Sequence, residues 1–278
     1  TEDTDLNTAR MFLGGVGPAT NNLAFSGKPD GTATWLTVTE AYDGSAWTEV
    51  ADMSGGQANF ACGGSAESAI VAGGEPGRLA NSEEWGGSSW TAGGDLNTAR
   101  DTLNGFGASN TAALACGGQV PAVQVITETY DGTSWTEVGD LNVAKNKMMG
   151  LGTTAAGLIV GGSNGPSAAV EEWNGTGWTE VGDITTAREG GANMCYGTTT
   201  AGMIAGGNPN GSRTEQYNGT SWTEVADNSQ HGAPGGEPGA GCGGGGTQTS
   251  AILSGGDPYI ATVEEWDESL GAVTFTSS

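Results

Sequence analysis

Basic residues are scarce in this chain. It holds 8 Lys and Arg against 32 Asp and Glu, a net charge of −24 over 278 residues. So acidic a surface repels a phosphate backbone, since nucleic-acid binding needs Lys and Arg to displace counterions. Nucleic acid and anionic membrane are therefore expected to be poor partners, and the acidity itself favours solubility. Histidine is rarer still: His231 stands alone, and no Cys-x-x-Cys occurs, so a zinc site lacks ligands. The cysteines, Cys62, Cys116, Cys195 and Cys242, read as buried thiols; Cys62 and Cys195 are repeat equivalents. No apolar run approaches the roughly 20 residues of a membrane-spanning helix, so no membrane insertion is expected. No basic-then-apolar leader is visible, and Thr1 falls in mid-motif, so the chain is expected to be processed or excerpted. Nothing points to a cofactor or a metal.

Glycine, by contrast, is abundant at 52 residues, and most of it recurs at fixed offsets. That pattern describes many short strands and tight turns, not disorder. The stretch Glu128-Thr-Tyr-Asp-Gly-Thr-Ser-Trp135-Thr-Glu-Val138 returns, lightly altered, along the chain. Its first aromatic falls at Tyr42, Trp85, Tyr130, Trp173, Tyr217 and Trp266, at intervals of 43, 45, 43, 44 and 49 residues. A Trp follows five positions later at Trp47, Trp90, Trp135, Trp178 and Trp222. Periods in the forties with a strand–turn–strand core indicate a propeller or array.

Each unit reads as four strands, a to d. Strand a follows the basic residue of Leu-Asn-Thr-Ala-Arg, strand b ends in Gly-Gly, strand c carries Glu-x-aromatic, and strand d carries Trp-Thr-Glu-Val. Asp43-Gly44, Gly86-Gly87, Asp131-Gly132, Asn174-Gly175 and Asn218-Gly219 join c to d and fit a type I′ hairpin turn. The expected fold is all-β: a six-bladed β-propeller of four-stranded antiparallel blades, closed by contact of the N- and C-terminal segments. Residues 1–278 form one domain, with blades at about 6–50, 51–94, 95–139, 140–182, 183–226 and 227–278. The Gly-rich run 232–246 reads as a long d–a loop and a thin inner strand.

A base before strand a (Arg10, Arg100, Lys145, Arg188), Gly-Gly after strand b, then an aromatic and a Trp: this set resembles the kelch repeat. The base is missing in the second unit, near Gln57, and in the sixth, near His231. The compact, acidic, Gly/Thr-rich units are similar to kelch-like repeats of tailed, especially marine, phages. That resemblance implies a propeller on a virion or another extracellular assembly, partnered by its structural proteins or by a surface glycan.

Two carboxylate sets recur once per blade. Glu40, Glu83, Glu128, Glu171, Glu215 and Glu264 precede the strand-c aromatic; Asp5, Asp52, Asp95, Asp140, Asp183 and Asp227 open the d–a connections. Residues repeated in every blade read as architecture: each Glu would satisfy backbone donors or the neighbouring Arg, and each Asp its own loop. Function is expected where repeats differ, in the b–c loops, because variable loops on a rigid scaffold concentrate binding. The candidate binding residues there are Lys28, Trp35, Arg78, Asn210, Arg213 and Tyr259. Asn174, Asn210 and Asn218 open formal glycosylation motifs that turn chemistry also explains. No catalytic residues are assigned and the chain is expected not to be an enzyme. A copper oxidase lacks its His ligands. A sialidase-like glycoside hydrolase is the alternative, although Asp131-Gly132-Thr133-Ser134-Trp135 lacks a residue of that family's turn motif. An intracellular kelch adaptor is a further one.

Overall fold

The computed structural model describes residues 5–29, 34–162, 165–190, 195–209, 211–228, 241–256 and 260–268. Six antiparallel blade sheets follow one another along the chain; five have four strands, and the last has three among the described residues, while a two-stranded ribbon, Gln119–Val120 with Ala122–Val123, lies in the b–c loop of the third. They form a six-bladed β-propeller. In the third blade, strands a to d are Asn104–Ser109, Ala112–Cys116, Thr127–Tyr130 and Trp135–Glu137. The inner strands elsewhere are Gly14–Val16, Ala61–Ser65, Met149–Thr153, Cys195–Thr198 and Gly243–Gly246. The Gly-rich run therefore does supply the sixth inner strand; its first part, with His231, lies outside the described residues. So does Phe275-Thr276, the expected outer strand of that blade.

The repeated motif builds the ring by one set of contacts used again and again. In the third blade Leu96 is buried in the core, and Asn97 donates from its backbone and side chain to Glu128, at 2.7 and 2.8 Å. The Asn97 side chain also donates to the carbonyl of Trp135 at 2.8 Å, and Arg100 pairs with Glu128 at 3.2 Å. Asn7, Arg10 and Glu40 repeat this in the first blade, and Asn142, Lys145 and Glu171 in the fourth. In the fifth, Glu215 accepts from the Thr185 and Thr186 amides and pairs with Arg188. The second blade lacks the base. There Gln57 stands in its place, and Glu83 accepts from the amides of Ser54 and Gly55. In these five blades the glutamate thus pins the d–a loop to strand c.

The carbonyl of that basic position then latches one blade to the one before it. The second glycine of the Gly-Gly pair donates across the boundary in blades two to four: Gly74 to Arg100, Gly118 to Lys145 and Gly162 to Arg188, at 2.9 to 3.0 Å. Gly27 does the same to Gln57 at 3.0 Å, so the backbone contact survives loss of the base. Gly256 to Arg10, at 2.9 Å, carries the series from the sixth blade back to the first and closes the ring. The amide of Leu6 bonding Ala261, and that of Phe12 bonding Gly241, reinforce the closure. The pair is Gly-Gly because both positions take positive φ, as at Gly73 (70°) and Gly74 (97°), which costs glycine nothing. Ser26 replaces the first glycine in blade one at φ 59°, and its hydroxyl is fixed by donating to Gln57 and Leu36.

Between blades, large side chains enter glycine hollows. A Cβ on Gly157 would lie 2.3 Å from the Phe106 ring, and one on Gly202 would lie 3.0 Å from Leu151. The strand-c aromatic and the strand-d Trp face each other as cross-strand partners, with centroids 4.8 to 5.5 Å apart in five blades. Such aromatic pairs add roughly 0.5–1.5 kcal/mol each beyond their buried area.

One local expectation needs correcting. The c–d connections are four-residue loops closed by pairs such as Tyr42↔Trp47, not two-residue I′ turns. Only the glycine takes positive φ, at 84 to 93°. The preceding side chain does the other work: Asp131 accepts from the amides of Thr133 and Ser134, and Asn174 and Asn218 accept in the same way. An acceptor that reaches its own loop makes left-handed geometry at that position unnecessary.

Candidate functional site: the mouth of the ring on the b–c face

In an antiparallel blade the b–c and d–a loops share one face, and the a–b and c–d turns share the other. On the b–c face each inner strand is entered through the second residue after the basic position. Phe12, Asn59, Thr102 and Lys147 occupy it in blades one to four, and all four take positive φ, at 57, 55, 51 and 51°. Gly190 is the fifth-blade counterpart. Neighbours are bonded head to tail: the Gly190 amide to the Lys147 carbonyl at 2.8 Å, and the Lys147 amide to Thr102 at 3.0 Å. Left-handed φ is uncommon outside glycine and an outlier for β-branched threonine. Strain of this kind gathers at functional sites.

In four blades the residue at the start of strand a pairs with the first residue beyond the Gly-Gly, or Ser-Gly, that ends strand b of the same blade. Met11↔Lys28, Ala58↔Glu75, Asp101↔Gln119 and Glu189↔Asn208 are the bridges. Polar side chains gather along them. Asn59 donates to Glu75 at 3.4 Å, Asn146 to Gln119 at 3.2 Å, and Asn208 to Glu189 at 3.5 Å. Asn146 is buried, and its carbonyl oxygen has no hydrogen-bond partner. The mouth is thus edged by amides and carboxylates that differ from blade to blade.

The sequence-derived residues fall in different places. Lys28 and Trp35 come together, with the ammonium 5.2 Å from the indole centroid, a cation–π distance. Trp35 is partly buried and packs against Met11, Phe12 and Ala58, so it reaches the mouth. Its indole nitrogen is buried without a partner. Arg78 pairs with Asp101 of the next blade at 3.3 Å and is 39 % exposed. Arg213 instead pairs with Glu224 on its own outer strand, away from the mouth. Asn210 and Tyr259 lie outside the described residues. Reasoning from the sequence missed Asn59, Thr102 and Lys147. Their signal was present: they vary within a stretch that otherwise repeats.

All four cysteines are buried, and burial pushes the Cys116 and Cys242 thiols up to about 12. Among the described residues no three His, Cys, Asp or Glu converge as a metal centre requires. No described helix is long and apolar enough to cross a membrane.

No family model and no curated protein matches the chain. Among solved structures it is similar to the one titled "Structure of YjhT", with a TM-score of 0.75 at 12 % identity, covering 99 % of each chain. At that identity the likeness concerns the fold. It overturns the expectation that the chain is not an enzyme: that exclusion rested on missing motifs, and the fold shared end to end does not exclude activity.

Proposed function

We propose that this propeller recognises a glycan through its b–c face, as a component of a virion surface or another extracellular assembly. The observation that carries the reading is the ring of left-handed, non-glycine residues at the mouth. Their side chains differ while the frame around them repeats. Strain kept at a position where glycine would relieve it argues that the side chains there are used. Amides and carboxylates on a fixed backbone offer donors and acceptors to sugar hydroxyls, and Trp35 offers an apolar ring beside them. The extracellular setting is supported by the likeness of the repeats to the kelch-like units of tailed phages. A structural protein of the same assembly is the other occupant this face suits.

A second reading, glycoside hydrolysis at the same mouth, is favoured by the carboxylates Glu75, Asp101 and Glu189 beside it, since that chemistry uses two carboxyl groups flanking the bond. A glycan array probed with the purified chain, run beside a panel of fluorogenic glycosides, separates the two. Recognition predicts array binding that Trp35→Ala weakens, with no release of fluorophore. Turnover abolished by Asp101→Asn or Glu189→Gln would replace it by the second reading. A folded chain that binds no glycan and cleaves none would remove both.

A further inference from the structure

The c–d turns of blades four and five carry Asn174-Gly175 and Asn218-Gly219, where blades one and three carry Asp43-Gly44 and Asp131-Gly132. We propose that Asn174 and Asn218 are sites of self-modification, each converted through a cyclic imide to aspartate or isoaspartate. The glycine nitrogen forms a bond to the side-chain Cγ, and its proton leaves with the carboxamide nitrogen as ammonia. Water then opens the ring at one of its two carbonyls. The net change is a hydrolysis, which needs no oxidant and no cofactor. These turns lie on the face opposite the b–c loops, so the proposal is independent of the reading of that face.

Three observations lead there. The first is how the carboxamide is held. Asn174 Oδ1 accepts from the amides of Thr176 and Gly177 at 3.0 and 3.1 Å. Asn218 Oδ1 accepts from those of Thr220 and Ser221, both at 2.9 Å. Bonds to the amides two and three residues on fold the side chain back over the intervening glycine amide, which is the nucleophile. Among the described residues that amide donates to no acceptor in either turn. The two donors also face the oxygen on which negative charge develops as the nitrogen attacks. Donors about 2.7–3.1 Å from such an oxygen are what an oxyanion hole supplies.

The second is the glycine and its surroundings. Gly175 and Gly219 have no side chain to hinder the attack, and a Cβ added at either would meet nothing nearer than 3.3 Å. Asn174, Gly175, Asn218 and Gly219 are all exposed, so water reaches the imide. Asn104-Gly105 is the contrast: Asn104 is 1 % exposed, within the extended inner strand of the third blade, and is shut off from water.

The third is the product. Asp43 and Asp131 accept from the same two amides of their own turns, at 2.9 to 3.0 Å, so aspartate fits without rearrangement. Hydrogen bonds, from the Ser45 hydroxyl to Asp43 and from the Ser134 amide to Asp131, hold these carboxyls below their ordinary range. They stay ionised, and an ionised carboxylate resists attack by an amide, so aspartate is an end point. Two conversions take the net charge from −24 to −26. The isoaspartate branch routes the backbone through the side chain and lengthens the turn by one atom.

The test follows the whole chain at mildly alkaline pH, beside the same chain unfolded in urea, with peptide mapping by mass spectrometry at successive times. Asn174 and Asn218 should convert at least as fast in the folded chain as in the unfolded one. Asn104 should convert only when unfolded. Labelling by an isoaspartyl methyltransferase should appear at both turns, because a cyclic imide opens both ways and direct hydrolysis of the carboxamide gives aspartate alone. The proposal is overturned if folding slows conversion at Asn174 and Asn218, or if aspartate forms there without isoaspartate.

Discussion

The interior and the b–c face of this ring are built under opposite rules. Inside, the Asn–Glu–base cluster recurs in blades one, three and four down to the hydrogen bond, and the Gly-Gly latch links five of the blade boundaries. At the mouth, the same backbone position carries Phe12, Asn59, Thr102 and Lys147 in a strained conformation. Where identity repeats, the residue holds neighbouring blades together. Where identity changes and strain is kept, stability does not explain the choice. Substitutions inside should therefore damage folding, and those at the mouth should damage binding alone.

The largest effect is expected from Arg100→Ala. It leaves Glu128 buried without its cation, and breaking a buried pair in this way costs about 3–5 kcal/mol. Urea unfolding measures it. Truncating Gln57 in the second blade sharpens the contrast. No charge loses its partner there, because Glu83 is held by two amides, so the cost should not exceed about 2 kcal/mol. Equal losses at both positions would break the distinction between paired and capped glutamates.

Thr102→Gly should act in the other direction. Glycine takes the left-handed conformation freely, so relief of strain outweighs its unfolded-state entropy and stability rises by about 1 kcal/mol. A higher midpoint of thermal unfolding is the expected result. A lower one would mean that the threonine holds the mouth together instead of serving a ligand.

The smallest effect concerns acid. Hydrogen bonds from the Ser45 hydroxyl to Asp43, and from the Ser134 and Thr133 amides to Asp131, hold both carboxyls below their ordinary range. A carboxyl depressed on folding contributes stability that is complete above its unfolded pKa, about 3.9. The contribution is lost as pH falls through the lower, folded value. Asp43→Asn with Asp131→Asn should leave stability at neutral pH unchanged, since Asn174 and Asn218 already make this turn. The acid limb of the thermal midpoint against pH should become flatter. A drop at neutral pH would contradict the equivalence of the four turns.

The repeat made the architecture legible. The spacing of Tyr42, Trp85, Tyr130 and their successors gave the blade count, and Arg10, Arg100, Lys145 and Arg188 marked the inner strands. The glutamates were readable as structural because they recur. The four-residue form of the c–d loops was not, because Asp-Gly suits a two-residue turn equally well, and the choice depends on the Tyr42↔Trp47 register. Arg213 was singled out because its loop is distinctive; that its guanidinium meets Glu224 of the outer strand depends on tertiary placement and was not legible. The mouth ring was hidden for another reason: positive φ at Asn59 and Thr102 is a backbone property that neither side chain advertises.

The central claim is that the side chains at the mouth exist for a ligand and not for the fold. The triple variant Asn59→Gly, Thr102→Gly, Lys147→Gly tests it most directly, because glycine keeps the left-handed backbone and removes only the side chains. Glycan-array binding should be lost while the thermal midpoint holds or rises. Binding equal to that of the wild type in this variant would contradict the account.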